Sequence, residues 1–488
     1  MGLSNLHEST RRVRHPHHHL PISLSLAPLV MLVGMLAVTI RTYGSDSLSG
    51  PSQVVLLMSA AICCVIGSVF ARVPWRKFEQ TITQNISQVA TALIILLFIG
   101  ALGGAWMVSG IVPTMIYYGL ELIHPSVFLA STCVISALVS IMTGSSWNTI
   151  ATIGLALMGI GRAQGFEEGW IAGAIISGAY FGDKVSPLSD TTVLAAGACD
   201  VPLFTHIRYM MLTTIPSMVV ALLLFIVAGL LHDTGDLTQL ETFRLALAGR
   251  FHISLWLMLV PLLTAVMIVR RLPAIVTMFA STLLAMVFAL LFQPEALTEI
   301  GGGDLFSGAM QSVFGSTSLT TSDPMLSELA ATRGMSGMMS TIWLILCAVC
   351  FGATMTAGGM TEGITRMFIS FAKGRMSTVS STVASGLLLN ATVADQYICI
   401  LLSGNVFRNI YEKRNLESRL LSRTTEDAVT VTSVLVPWNS CGMTQSTVLG
   451  VSTLTYLPYC FFNLISPFMS ILMAAIGYQI KPRRKEVQ

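Results

Sequence analysis

The stretch Gly182-Asp183-Lys184-Val185-Ser186-Pro187-Leu188-Ser189-Asp190-Thr191-Thr192 sets three charges and four hydroxyls between apolar segments long enough to cross a bilayer. A charged side chain near the bilayer centre costs roughly 2.5 to 3.5 kcal/mol, so residues of this kind line a polar pathway or pair with one another. Pro187 also breaks the helix and frees backbone groups that water, neighbours or an ion must satisfy. Broken helices at midplane depth are where secondary transporters bind ions.

The rest of the chain supports a membrane setting. Of 488 residues, 53% are hydrophobic and only 10% charged, and the mean hydropathy is +0.74, which leaves too little polar surface for a soluble protein. Apolar runs of about 20 residues recur along the whole length, each sufficient for a hydrocarbon core of about 30 Å. Arg and Lys cluster in loops and tails, which bears on topology and not on nucleic acid. The nine cysteines lie mostly inside apolar runs without zinc-type spacing and read as packing residues, the Cys347/Cys350 pair included.

The N-terminal tail carries Arg11, Arg12, Arg14, His15, His17, His18 and His19, lacks a cleavable signal pattern, and is expected to stay in the cytoplasm. From it the first span (22–40) runs outward, the second (52–71) returns to Arg72, Arg76 and Lys77, and the third (86–108) goes out again. Residues 126–161 form an apolar run interrupted by Thr143-Gly144-Ser145-Ser146-Trp147-Asn148-Thr149, the pattern of a re-entrant hairpin. Residues 169–199 cross inward through the opening motif, and 207–231 cross back.

The second half repeats the first. Ile22-Ser23-Leu24 answers to Ile253-Ser254-Leu255, Gly100-Ala101 to Gly352-Ala353, Thr192-Val193-Leu194 to Thr447-Val448-Leu449 and Pro216 to Pro467, with a separation that grows from about 222 to 255 residues. Charge indicates that the second unit is upside down. Its first span ends at Arg270 and Arg271, whereas the first span of the other unit begins beside the basic tail. The loop 293–337 is acidic and belongs outside; the loop carrying Arg408, Lys413, Arg414, Arg419 and Arg423 belongs inside, as does the end with Lys481, Arg483, Arg484 and Lys485. The expected architecture is an all-α polytopic membrane protein built from two inverted repeats. Each has about five transmembrane helices and one re-entrant hairpin, with broken helices at the midplane. The segments are a tail (1–20), a first repeat (21–231), an external linker (232–251), a second repeat (252–479) and a cytoplasmic tail (480–488).

In this topology only Asp183, Lys184, Asp190 and Asp395 lie deep. Asp395 sits in Asn390-Ala391-Thr392-Val393-Ala394-Asp395-Gln396, the second hairpin's tip, and the segment Pro437–Thr447 with Asn439, Ser440 and Thr444 answers to the opening motif. Two tips and two broken helices therefore converge. Hydroxyl, amide and carbonyl oxygens with a carboxylate suit a hard monovalent cation such as Na⁺. A buried carboxylate also holds a proton, so competition of Na⁺ and H⁺ for one Asp is the minimum device for exchange. Asp190 and Asp395 are the candidates for that role, with Asp183, Ser145, Ser146, Asn148, Thr149, Ser186, Ser189, Thr191, Asn390, Thr392, Asn439, Ser440 and Thr444 as further ion or proton ligands. Lys184 is expected to neutralise Asp183 or Asp395, or to compensate the empty site. Asp190 also fits a helix N-cap, whereas Asp395 has less local reason to be where it is. Glu426 and Asp427 read first as carboxylates at a helix N-terminus. Trp147 and Trp438 read as hairpin packing.

The motif Gly182–Thr192, Ala394-Asp395-Gln396-Tyr397, and Leu421-Ser422-Arg423 leading through Glu426-Asp427 to Pro437-Trp438-Asn439-Ser440-Cys441-Gly442 resemble the NhaC family of Na⁺/H⁺ antiporters. The resemblance covers nearly everything between the tails. It implies Na⁺/H⁺ exchange across the bacterial inner membrane, an elevator-like mobile domain and a homodimer, with no cofactor beyond the transported ions. The family also includes members resembling malate/lactate exchangers, and Asn148 and Ser403-Gly404 depart from the pattern expected of antiporter members. Coupled transport of a small organic anion or an amino acid is therefore the alternative. A channel or membrane enzyme is disfavoured by the duplicated unit and by the lack of a nucleophile with an adjacent base.

Overall fold

The computed structural model describes residues 20–43, 47, 50–231, 237–319, 321 and 323–480. The His-rich tail and the basic C-terminal residues lie outside them. Among the described residues the chain is helical throughout, apart from an isolated bridge between Thr317 and Thr332.

The first half comprises α1 (Ile22–Tyr43), α2 (Pro51–Phe70), α3 (Trp75–Val108), α4 (Ile111–Leu122), α5 (Pro125–Thr143), α6 (Ser146–Thr149), a π-helical turn (Ile150–Gly154), α7 (Leu155–Ala163), α8 (Glu168–Val185), α9 (Asp190–Ala198) and α10 (Leu203–Leu231). A connecting α11 (Leu237–Arg250) leads to α12 (Leu259–Val269), α13 (Ala274–Phe292), the short α14 (Pro294–Ile300), α15 (Leu305–Phe314), α16 (Pro324–Ala330) and α17 (Gly334–Gly337), then α18 (Met339–Ala357) and α19 (Met360–Phe371). The chain closes with α20 (Arg375–Val393), α21 (Gln396–Lys413), α22 (Ser418–Thr425), a π turn (Glu426–Thr430), a 3₁₀ turn (Ser433–Leu435), α23 (Ser440–Leu449), α24 (Thr453–Tyr456) and α25 (Phe461–Ile476).

Among the described residues, seven helical segments are long and apolar enough to span a bilayer: α1, α2, α3, α5, α10, α13 and Gly334–Ala357. Two pairs, bent by 88° and 56°, bring in α12 and α25. Their outward faces carry exposed Val30, Val38, Val65, Leu223, Leu230, Leu262 and Val287, a surface that only lipid tolerates. The protein is a multi-pass membrane protein. The sequence reading counts ten crossings; the difference lies in α8–α9 and the run from α22 to α23, whose polar breaks remove them from an apolar test, and in α5, which is one arm of a hairpin.

Backbone landmarks recur at a spacing of about 250 residues. Glu167 and Glu417 cap α8 and α22, Ser145 and Asp395 cap the second arms of the two hairpins, and Ser189 and Asn439 cap α9 and α23. Gly144 and Ala394 turn left-handed at φ 65° and 61°, as do Asp200 and Gly450 at 52° and 70°. These landmarks correct the register read from Thr192-Val193-Leu194: Thr192 stands opposite Gly442, not Thr447. The packing is reciprocal, since α2 lies on α18 while α3 lies on α13.

Two segments read as connections are built into the core. The linker before 251 is helical, with Phe243, Leu247 and Phe251 buried, and the 293–337 loop holds α14 to α17. Gly100 and Gly104 on α3 open the groove that admits it. A Cβ at Gly100 would lie 2.4 Å from the Gly334 carbonyl oxygen, and one at Gly104 2.0 Å from that of Ser312. Helix α8 seats on α5 by the same device. Gly178 and Gly182, four apart, leave room for the carbonyls of Cys133 and Ala137, which a Cβ would meet at 2.1 and 2.3 Å, and Ser140 Oγ donates to the Ala179 carbonyl at 2.6 Å. Gly178→Ala is therefore expected to destabilise the fold by about 1 to 3 kcal/mol through overpacking. Gly197→Ala, on the open face of α9 with nothing within 4 Å, is expected to be neutral or stabilising. Detergent-denaturation midpoints of the two variants check this, and equal midpoints would contradict it.

Candidate ion-binding site

Helix α8 ends at Val185 because Pro187 cannot donate a backbone hydrogen bond and biases Ser186 away from helical geometry. The break is laced shut by its own hydroxyls. Ser186 Oγ donates to the Ile141 carbonyl at 2.8 Å and accepts from the Leu188 amide at 3.2 Å. Ser189 Oγ caps α9 by accepting from Thr192 N–H at 3.3 Å and shares a hydrogen bond with Thr191 at 3.0 Å. Thr192 Oγ1 donates to the freed Lys184 carbonyl at 3.0 Å. Asp190 is neither the cap nor deep. It occupies the first turn of α9 and is exposed, because the left-over direction at that position points into an open cleft.

The first hairpin tip turns at Gly144, where a Cβ would meet Leu188 Cβ at 2.6 Å, so the tip and the helix break are in contact. Ser145 caps its own arm through the Asn148 amide at 3.3 Å, and Thr149 Oγ1 donates to the Ser145 carbonyl at 2.9 Å. Ser146 reaches across: its backbone N–H and its hydroxyl both donate to Asp183 Oδ2, at 3.1 and 2.7 Å. Asp183 thus ties the tip to the break.

The second hairpin does this in the reverse sense. Asp395 Oδ1 accepts the Ile398 amide at 3.0 Å as an N-cap, and Oδ2 accepts from Ser440 Oγ at 3.1 Å, so this carboxylate has the local structural task that its sequence context does not advertise. Ser440 N–H donates to the Ala394 carbonyl at 2.8 Å. Asn439 caps α23 through Cys441 N–H and donates to the Asn390 carbonyl at 3.1 Å, while Asn390 Nδ2 donates to Val429 O at 2.8 Å. Thr392 and Thr444 bond within their own helices, to Leu388 and Ser440 carbonyls. Trp438 Nε1 donates to Ala391 O at 2.7 Å and packs the hairpin, as expected.

A cleft of about 650 Å³ opens where α3, the first tip, the α8–α9 break, α12–α13 and the second tip meet. Of the residues singled out from sequence, Asp183, Asp190, Ser145, Asn148 and Thr191 line it. Asp395 stands one residue behind Gln396 and Tyr397, which do line it, and Asn390, Thr392, Asn439, Ser440 and Thr444 serve the second hairpin and its helix. Gln88, Thr91, Arg271, Thr277, Gln396 and Tyr397, not named as ligands from sequence, also line it, and so does Trp147, read from sequence as hairpin packing. Arg271 read only as a topology marker; its place at the end of α12, facing a repeat that comes back from the other half, is a tertiary fact. The cleft offers two carboxylates, amides and hydroxyls, an oxygen set suited to a hard cation.

Lys184 points away from this cleft. It is fully buried and pairs with Asp427, not with Asp183 or Asp395, and donates to Ser466 Oγ at 3.3 Å. Asp427 Oδ1 also accepts from Thr213 at 3.1 Å and Ser466 at 3.2 Å, and Arg423 Nε lies 4.0 Å from Oδ2 while its guanidinium stacks 4.8 Å from the Tyr209 ring centre. Arg423, Glu426 and Asp427 are fully buried, which corrects the placing of Arg423 in a cytoplasmic loop; Glu426 and Asp427, read as carboxylates at a helix N-terminus, follow the end of α22 in a π turn. The signal that places them is the repeat: α22 and its π turn answer to α8, an interior helix.

Residues 178–478 match the Na⁺/H⁺ antiporter family. The Na⁺/H⁺ antiporter NhaC of Alkalihalophilus pseudofirmus is 35% identical over 421 residues, covering 85% of this chain and 89% of that protein. The malate-2H⁺/Na⁺-lactate antiporter of Bacillus subtilis is 31% identical, covering 93% and 95%, and the arginine/ornithine antiporter ArcD of Halobacterium salinarum is 32% identical, covering 93% and 92%. With a family match over residues 178–478 and 35% identity over 85% of its length, the chain belongs to the Na⁺/H⁺ antiporter family of the NhaC type.

Proposed function

We propose that the protein is a secondary transporter exchanging Na⁺ for H⁺, with alternating access around the cleft and no resident cofactor. The observation that carries the reading is the pair Asp183 and Asp190, held at a helix break and facing one cleft into which both hairpin tips project. Na⁺ would enter at Asp190 and the oxygens of Ser145, Asn148 and Thr191, with Asp183 as the inner ligand and Asp395 as a deeper carboxylate that positions the second tip. The landmark spacing of about 250 residues and the reciprocal packing support two inverted repeats, and the charge bias supports cytoplasmic termini in a bacterial inner membrane. A homodimer with an elevator-like mobile domain completes the proposal.

One observation favours a second cargo. A cleft of about 650 Å³ is far larger than a sodium ion needs, and Arg271 in its wall offers a carboxylate partner, so coupled movement of a small organic acid or an amino acid is the alternative. Liposomes containing the protein and a pH dye separate the two. Proton movement on addition of Na⁺ alone is the expected result. Silence until malate, lactate or an amino acid is supplied would replace the exchange reading with a coupled carrier.

A further inference from the structure

We propose that the exchanged proton is carried by Glu426, in a buried charge cluster separate from the cation cleft; this rests on the exchange reading above and names its proton site. Glu426 faces the charges of Lys184, Asp183 and Asp427, with Lys184 paired to Asp427, and like charges so placed do not all ionise together. Hydrogen bonding sorts them. Asp183 receives two donors from Ser146, and Asp427 receives Lys184, Thr213 and Ser466. Glu426 is fully buried, and no backbone amide or charged group donates to its carboxyl oxygens; the one donor beside them is the neutral Thr430 hydroxyl, outside close hydrogen-bonding geometry. An unpaired carboxylate in such surroundings costs far more than a neutral carboxyl, so Glu426 is the member of the trio that holds a proton here.

The backbone marks the same residue. Glu426 opens a π turn, Glu426–Thr430, in which the Val431 amide reaches back to the Glu426 carbonyl, and single π turns recur at functional sites. The ionisable groups facing it are few. Lys184 and Asp183 come from α8, Cys199 from the end of α9, Asp427 from its own turn and Arg423 from the turn before; α25 and α20 beyond Arg375 carry none, and α21 brings Arg408 beside Cys199 and Tyr411 beside Cys199 and Arg423. His206 on α10, hydrogen bonded to Ser422 at 2.8 Å, faces Lys184 and Asp427. Asp183 and Lys184 are neighbours on the last turn of α8, one in the cleft wall and one in the cluster. A cation bound at Asp183 therefore acts one residue from the lysine that Asp427 and Glu426 share. When Glu426 gives up its proton to water, Lys184 is the cation that its carboxylate faces.

Infrared difference spectroscopy of the full-length protein in lipid tests this, with Na⁺ as the probe. Wild type should display a carboxylic-acid C=O band that vanishes as pH is raised and on Na⁺ addition. Glu426→Gln, which keeps the shape of the side chain, should lack that band and still bind ²²Na⁺, with Na⁺-driven proton movement lost; Glu426→Asp should restore part of it. An identical band in Glu426→Gln, no such band in wild type, or undiminished proton movement in Glu426→Gln would each overturn the proposal. If the band belongs to Glu426 but wild-type liposomes move no protons with Na⁺, the exchange reading fails and the proton site stands.

Discussion

Asp183→Asn should raise the Na⁺ concentration needed for half-maximal transport by at least about tenfold while leaving the fold intact. A unit charge 4 Å from an ion is worth about 4 kcal/mol at an effective dielectric near 20, and even half of that exceeds a tenfold change in affinity. Asparagine keeps an oxygen to accept from the Ser146 amide and hydroxyl, so the tip stays tied to the break and only the charge is removed. Asp183→Ala removes both, and should add a loss of stability because two buried donors lose their acceptor. ²²Na⁺ uptake into liposomes, read beside the denaturation midpoint of each variant, separates the effects. Wild-type Na⁺ dependence in Asp183→Asn would take Asp183 out of the ion site.

The second large effect is expected at Lys184 and Asp427, both fully buried. Lys184→Met leaves Asp427 with Thr213 and Ser466 as donors and Arg423, 4.0 Å away, as its remaining cation, and should cost up to about 3 to 5 kcal/mol, the range for breaking a buried pair from one side. The double variant Lys184→Met/Asp427→Asn should recover part of that stability, because no unpaired carboxylate remains, while the buried Arg423 guanidinium loses its nearest anion. It should not recover transport, since the lysine that faces both acids is gone. Unfolding in mixed micelles for the single and double variants supplies the cycle. Additive losses would mean that the pair does not act as a unit.

The repeat is legible in sequence, but its register at Thr192 is not. Thr192-Val193-Leu194 and Thr447-Val448-Leu449 are alike in letters but not in place, because three common apolar and hydroxyl residues recur by chance. A left-handed residue or a helix cap recurs only where the backbone turns. Sequence reading puts both Asp190 and Asp395 deep and offers Asp190 as the cap; in the structure Asp190 is open to the cleft and Asp395 is the buried cap, a difference set by which way the first turn of each helix faces.

Composition, span length, the helix break at Pro187 and the two polar tips were decided by the amino-acid sequence itself, since hydropathy, proline and cap residues act within a few neighbours of where they stand. The partners of the charges were decided by the tertiary structure alone. Consecutive residues on a helix point about 100° apart, so Asp183 and Lys184 face different neighbours. Lys184 finds Asp427 243 residues away, because α8 and the π turn that answers to it pack together across the two halves.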